Sequence, residues 1–203
     1  MKGLYLVTPD WDDTGKLLAV SEAALRAGAA LLQYRHKTAD AALRREQATA
    51  LQALCRRYGT PFIINDHVDL CLELDADGIH VGGTDAAVAE VRKAVGPDKI
   101  VGASCYGSLD LARSAHASGA SYVAFGGFYP SRVKKYEVST PPDIVAQSKR
   151  EIPLPVVVIG GMTQANTPPL VAQGADMVAV ISSVYMADDP EAAARMLGNL
   201  FAA

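Results

Sequence analysis

The chain has 203 residues, half of them apolar, and a formal net charge of -3. That is enough apolar material for one full domain core, and it lacks the basic excess of a nucleic-acid binder. Three scattered cysteines (Cys55, Cys71, Cys105) show no CxxC or metal spacing and fit a reducing compartment better than a disulfide framework. The first residues, Met1 to Thr8, hold too few apolar positions for a secretory signal, and no apolar run approaches bilayer length. A soluble, cytoplasmic protein is expected, with no membrane and no nucleic-acid partner.

The apolar pattern then alternates between two periods along the chain. Leu4 to Val7 reads as a strand closed by Thr8-Pro9-Asp10, and Lys16 to Arg26 repeats apolar residues at helical spacing until Gly28. Ala30 to Tyr34 is a second buried run, followed by an Ala-, Leu- and Arg-rich helix from Ala39 to Tyr58 that stops at Gly59. Pro61 to Ile64 and Gly78 to Val81 are the third and fourth strands, separated by a short helix over Val68 to Leu74. Further on, helices are expected over Ala86 to Val95 and Leu109 to Ser118, with strands at Ile100 to Ala103 and Tyr122 to Phe125.

A long loop follows the sixth strand, from Gly126 to about Pro142, and a loop of that length is more often functional than idle. Pro155 to Ile159 is the seventh strand and Gln164 to Gln173 a short helix. Met177 to Ile181 is the eighth strand, and Pro190 to Phe201 the last helix. Eight such units in 203 residues, about 25 each, predict a parallel sheet closed into a (β/α)₈ TIM barrel. The whole chain, 1–203, reads as a single domain, and no Gly-x-Gly-x-x-Gly follows strand one to favour an open sheet.

In such a barrel the loops after the strands share one face, and that face holds the active site. Polar residues fall there repeatedly: Thr8, Gln33, Arg35, Lys37, Asn65, Asp66, Asp85, Ser104, Ser131, Lys134, Ser182 and Ser183. The alternation of Gln33, Arg35 and Lys37 predicts that all three face one side. For any single residue, a structural ion pair among Arg35, Lys37, Asp66 and Asp85 is the simpler reading. For the set, that many charges on one rim would be a costly way to hold a fold.

A ligand with several negative charges, accompanied by a cation, accounts for the set. Two aspartates at neighbouring strand ends suit Mg²⁺, which takes few carboxylates and completes its shell with water and phosphate oxygens. Gly160-Gly161 after strand seven and Ser182-Ser183 after strand eight suggest a second anion site. Lys134, or its neighbour Lys135, is placed to close over the ligand. His36, His67 and His80 show no zinc spacing and read as structural residues, and no Gly-x-Ser-x-Gly elbow is present.

Several segments in combination resemble the thiamine phosphate synthase family, from Leu4 to about Ala194. They are Leu4-Tyr5-Leu6-Val7-Thr8, Gln33-Tyr34-Arg35-His36-Lys37, Asn65-Asp66, Asp77-Gly78-Ile79-His80-Val81-Gly82 with Asp85, Val101-Gly102-Ala103-Ser104, Ile159-Gly160-Gly161-Met162, and Val180-Ile181-Ser182-Ser183. The resemblance implies that the ring nitrogen of a thiazole phosphate displaces the diphosphate of a hydroxymethylpyrimidine. It implies that Gln33, Arg35, Lys37, Asn65, Ser104 and Lys134 hold the pyrimidine diphosphate, and that Arg35, Lys37, Lys134 and Ser104 take part in catalysis. Asp66 and Asp85 would bind Mg²⁺, while Ser131, Gly161, Ile181, Ser182 and Ser183 would receive the thiazole phosphate.

The chain departs from the family's Pro-Thr-x-Thr-Lys at Pro130-Ser131-Arg132-Val133-Lys134, where Val133 loses a hydroxyl. Two rival readings remain: a thiazole tautomerase of the same superfamily, and a non-catalytic sensor of a phosphate ligand. A homodimer is compatible with the chain, which carries no signal that fixes its assembly.

Overall fold

Strands that read as near-continuous apolar runs must be buried on both faces, and here they are. The computed structural model describes residues 1–82, 85–130 and 140–202, with residues 85 and 86 as backbone only. Its strands are β1 (Gly3–Val7), β2 (Leu31–Tyr34), β3 (Phe62–Asn65), β4 (Gly78–Gly82), β5 (Ile100–Tyr106), β6 (Tyr122–Gly126), β7 (Val156–Ile159) and β8 (Met177–Val180). Each pairs in parallel with the next, and β8 returns to β1 to close the barrel.

Among the described residues the helices are α1 (Thr14–Arg26), α2 (Ala41–Tyr58), α3 (Val68–Glu73), α4 (Asp85–Val95), α5 (Leu109–Ala117), α6 (Ile144–Glu151), α7 (Pro168–Ala172), α8 (Ser182–Tyr185) and α9 (Pro190–Asn199). Alternate strand residues supply two cores. Tyr5, Val7, Leu31, Ile63, Tyr122, Ala124, Val157 and Met177 fill the barrel interior. Leu4, Leu6, Leu32, Ile64, Ile79 and Val123 face outward and bury the apolar stripes of the helices.

Side-chain caps set where several helices begin. Asp13, Asp40, Ser108 and Asp189 each accept a hydrogen bond from a backbone N–H in the first turn. Such a cap contributes about 1 kcal/mol. They move the starts of α1 and α2 by two residues from the apolar pattern.

Larger differences have equally local causes. The helix α6 falls in a stretch whose apolar pattern predicts no helix, because only Ile144, Val145 and Ser148 of its eight residues are buried. The strand β5 runs past Ser104 to Tyr106, with a register shift between those two residues and Tyr106 at φ 52. The helix α7 starts only at Pro168, its prolines filling the first turn where no N–H is needed. Before it, Thr163 and Asn166 close a turn on each other's backbone N–H.

All three cysteines are free and buried. Burial pushes the Cys55 and Cys105 thiols up to about 12 and Cys71 up to about 11. Thiolate is the reactive form, so these side chains are inert in the folded protein. An aromatic disulfide reagent should release almost no thiolate before denaturation and all three equivalents after it. A fast phase from folded protein would contradict the burial.

Candidate functional site

The C-terminal strand ends are sewn together by short polar links. Thr8 Oγ1 accepts from the Arg35 backbone N–H at 2.8 Å and donates to the Arg35 carbonyl at 2.9 Å. That hydroxyl takes over from strand pairing, so β2 ends at Tyr34 and the alternation of Gln33, Arg35 and Lys37 does not continue as a strand. Gln33 keeps a barrel-interior position. Arg35 and Lys37 lie in the following loop, which Asp10 organises: its carboxylate accepts from Arg35 Nη1 at 3.1 Å and from the Lys37 backbone N–H at 2.9 Å.

Lys37 reaches across to the next strand end, where its Nζ lies 2.5 Å from Asp66 Oδ2. Asn65 Nδ2 donates to the same oxygen at 2.8 Å, while Oδ1 accepts no hydrogen bond among the described residues. Asp66 sits in the left-handed region at φ 64, a conformation that aspartate tolerates better than most residues. Its backbone N–H donates to the His80 carbonyl on β4 at 3.0 Å, which fixes the turn. Partial burial works to raise the Asp66 carboxyl, but the Lys37 ammonium and the Asn65 amide outweigh it and hold the group below its ordinary value. A cavity of about 200 Å³ adjoins, with Lys37, Arg44, Asn65, Asp66 and His67 in its wall.

Arg35 is the more enclosed cation, with its side chain 11% exposed against 49% for Lys37. Its Nε is buried and has no acceptor among the described residues. An orphaned guanidinium N–H in a site costs about 1–3 kcal/mol unless a ligand oxygen meets it.

Inside the barrel a hydrogen-bonded chain links strands that are not neighbours. Gln33 Nε2 donates to Tyr5 Oη at 2.6 Å, and Tyr5 Oη lies 2.6 Å from Tyr122 Oη. Tyr122 Oη lies 2.9 Å from His80 Nδ1, and His80 Nε2 lies 2.8 Å from Ser104 Oγ. Two residues expected in the site, Gln33 and Ser104, are therefore the ends of one chain. Burial raises both phenols above their ordinary value, so they stay protonated.

On the other side of the barrel, Gly160 and Gly161 have φ of 103 and 66. A Cβ on Gly161 would lie 2.3 Å from the Pro130 carbonyl oxygen and 2.8 Å from that of Tyr129, so only glycine fits beneath the loop after β6. Asn166 Nδ2 donates to the Gly161 carbonyl at 2.9 Å. Ser183 Oγ donates to the Met162 carbonyl at 2.5 Å, tying the loops after β7 and β8 together. Its hydroxyl is thus engaged by the protein, while Ile181 caps α8 and Ser182 opens it.

Asp85 is the first residue of α4, one short connection beyond β4, so its backbone stands on the same rim as Asp66. Ser131, Lys134, Lys135 and Val133 lie outside the described residues. Among the described residues no cluster of three or more His, Cys, Asp or Glu side chains is arranged to hold a metal.

Four residues escaped the sequence reading. Asp10 was passed over as part of a turn, although its position two residues after Thr8 places it on the rim. Tyr5 and Tyr122 looked like ordinary apolar strand residues, and only cross-barrel packing brings their hydroxyls together. His80 is the satisfied residue expected, with both ring nitrogens engaged, but its link to Ser104 through the interior was missed. Its place two residues before the strand end was the available signal.

A family model described as thiamine monophosphate synthase matches residues 4–184. The thiamine-phosphate synthase of Janthinobacterium sp. (strain Marseille) is 69% identical over 202 residues, covering 100% of this chain and 98% of that one. That of Thiobacillus denitrificans is 51% identical over 201 residues, covering 99% and 95%. The solved thiamine phosphate pyrophosphorylase from Pyrococcus furiosus superposes with a TM-score of 0.85 at 30% identity, covering 98% of this chain and 95% of that one. No helix among the described residues is long and apolar enough to cross a membrane. The chain belongs to the thiamine monophosphate synthase family.

Proposed function

We propose that this chain, acting as one barrel domain on small-molecule substrates, is the transferase that joins the two halves of thiamine phosphate. The pyrimidine methylene–oxygen bond breaks with its electron pair leaving on diphosphate, and the thiazole nitrogen lone pair forms the new carbon–nitrogen bond. No proton moves in either step. The reaction therefore asks no general base of the barrel rim, and positioning with charge neutralisation carries the rate.

The observation that carries this reading is the basic rim around Arg35 and Lys37. Arg35, held by Asp10 but with Nε unpartnered among the described residues, and Lys37, half-exposed, can both meet diphosphate oxygens. Asn65 and, through its resemblance to the family's loop lysine, Lys134 would complete that clamp. Gln33 and Ser104 would hold the pyrimidine from the barrel interior. Gly161, Ile181, Ser182, Ser183 and Ser131 would receive the thiazole phosphate, with Ser183 contributing its backbone N–H because its hydroxyl is tied to Met162.

The donor set fits a hard cation. Asp66 is ionised, half-exposed and keeps Oδ1 without a hydrogen bond among the described residues, and Asp85 follows the adjacent strand. Asp66 and Asp85 would hold Mg²⁺, which when bound neutralises charge developing on the departing diphosphate. The side chains around it do the rest: Lys37 fixes Asp66, and Asn65 orients it.

Incubating the protein with both substrates and Mg²⁺ should release pyrophosphate, and removing either substrate should abolish release. EDTA is expected to lower the rate by two orders of magnitude or more, about the scale of losing one strong electrostatic contact. Substrate binding without pyrophosphate release would defeat the transferase reading and favour a sensor.

A further inference from the structure

The strand β5 ends in a side chain that the core does not enclose. Tyr106 is 54% exposed, the most of any large apolar side chain among the described residues. It stands on the strand-end rim, two residues beyond Ser104, with its backbone in the left-handed region at φ 52. Resting on the functional reading above, we propose that Tyr106 is a substrate-contacting residue. Its ring closes the β4–β5 side of the barrel mouth over the pyrimidine and keeps water from the methylene carbon as diphosphate departs.

Strand parity sets the place of the ring. Ile100, Gly102 and Ser104 present the inner side of β5, while Val101, Ala103 and Cys105 pack outward. A Cβ on Gly102 would come within 2.1 Å of Tyr122 Cζ and 2.6 Å of His80 Nδ1, which marks that line as the barrel interior. Tyr106 is the next residue on the inner line, above Ser104. The register shift then turns it: Ser104 pairs with Ala124 but Tyr106 with Phe125, so two residues of β5 advance against one of β6. Such a bulge re-aims the side chain that follows it. The phenol oxygen comes to 4.0 Å from where a Cβ on Gly82 would stand, so the ring extends from the end of β5 to that of β4.

A bulky residue at positive φ is an outlier, and glycine would hold this turn without strain. Two contacts keep the turn in place. The Ser108 N–H donates to the Cys105 carbonyl at 2.9 Å. Gly107 packs on Thr140, where a Cβ would come within 2.6 Å of Thr140 Oγ1, and that hydroxyl donates to the Gly126 carbonyl at 2.5 Å. The strain falls on a side chain that lies mostly in solvent, so packing does little to offset it. A contact made only with ligand bound does offset it.

The reaction gives such a ring a task. Once the methylene–oxygen bond has broken, the methylene carbon is electron-deficient, and either the thiazole nitrogen or a water oxygen can supply the electron pair. Capture by water gives the hydroxymethylpyrimidine and releases one proton to solvent. With the pyrimidine on Gln33 and Ser104, an aromatic face above them excludes water from the β4–β5 side.

The test is product partitioning, with both substrates and Mg²⁺, in the wild type, Tyr106→Asn and Tyr106→Phe. Asparagine tolerates the left-handed turn, so its melting temperature should move by no more than about 3 °C. Its hydrolysed fraction, pyrophosphate released without thiamine phosphate formed, should rise by about tenfold, the scale of one aromatic contact. Tyr106→Phe keeps the ring and should stay coupled like the wild type. A coupled asparagine variant, slowed or not, overturns the proposal, as does equal uncoupling in the phenylalanine variant, which would give the effect to the hydroxyl. Nitration of Tyr106 in the wild type by tetranitromethane, mapped by peptide mass, needs no variant to fold. The pyrimidine diphosphate with Mg²⁺ should suppress it, and undiminished nitration sinks the contact. If the wild type releases no pyrophosphate at all, the functional reading itself fails, an outcome distinct from each of these.

Discussion

Replacing Lys37 with alanine is expected to lower kcat/KM for the diphosphate substrate by about a hundredfold to a thousandfold, while the thermal transition hardly moves. The two effects separate because the same ammonium has two roles of different size. Toward stability it is one half of a pair whose side chains are 49% and 44% exposed. Such a pair contributes no more than about 1 kcal/mol. Toward catalysis it faces charge that develops only as the diphosphate departs, in a site from which a ligand excludes water.

Asp66→Ala should produce a similar loss for a related reason. It removes a carboxylate proposed to hold Mg²⁺ and frees Lys37 from its partner at 2.5 Å. Steady-state pyrophosphate release set beside scanning calorimetry checks both variants. Normal turnover in either one would remove the strand ends of β2 and β3 from the site. A large fall in melting temperature would instead make the pair structural.

The second large effect concerns the fold. Gly102→Ala should destabilise the barrel by about 3 kcal/mol or more, because the added methyl lands on two enclosed rings that have no room to give. Tyr122 is fully buried and His80 is 8% exposed, and they are held between Tyr5 and Ser104. For a chain of this size that corresponds to roughly 10 °C in Tm. Activity measured well below the new Tm should fall as well, since the methyl displaces the link between Ser104 and Tyr122. An unchanged melting temperature would mean the interior is looser than its hydrogen bonds imply.

Some of the site was legible because rim chemistry follows from chain order. In a parallel barrel every strand ends on the same face, so Asp66 after β3 and Asp85 after β4 share a rim whatever the details of packing. Polar residues that interrupt apolar runs, such as Gln33, Asn65 and Ser104, could be assigned to that rim for the same reason. The partners could not. Arg35 pairs with Asp10 and Lys37 with Asp66, choices set by the Thr8 hydroxyl that ends β2 and lets the next residues leave the strand.

By itself the sequence determined the barrel, through the alternation of buried four- and five-residue runs with helical stripes. Periodicity reports which face of an element is apolar, and eight such faces in alternation have one compact closure. Only the tertiary structure decided which interior polar groups meet. Tyr5 and Tyr122 stand 117 positions apart, and their hydroxyls, on strands three apart around the closed barrel, approach across its interior because its diameter is small. Contacts of that kind depend on distance across the interior, a quantity that no local pattern encodes.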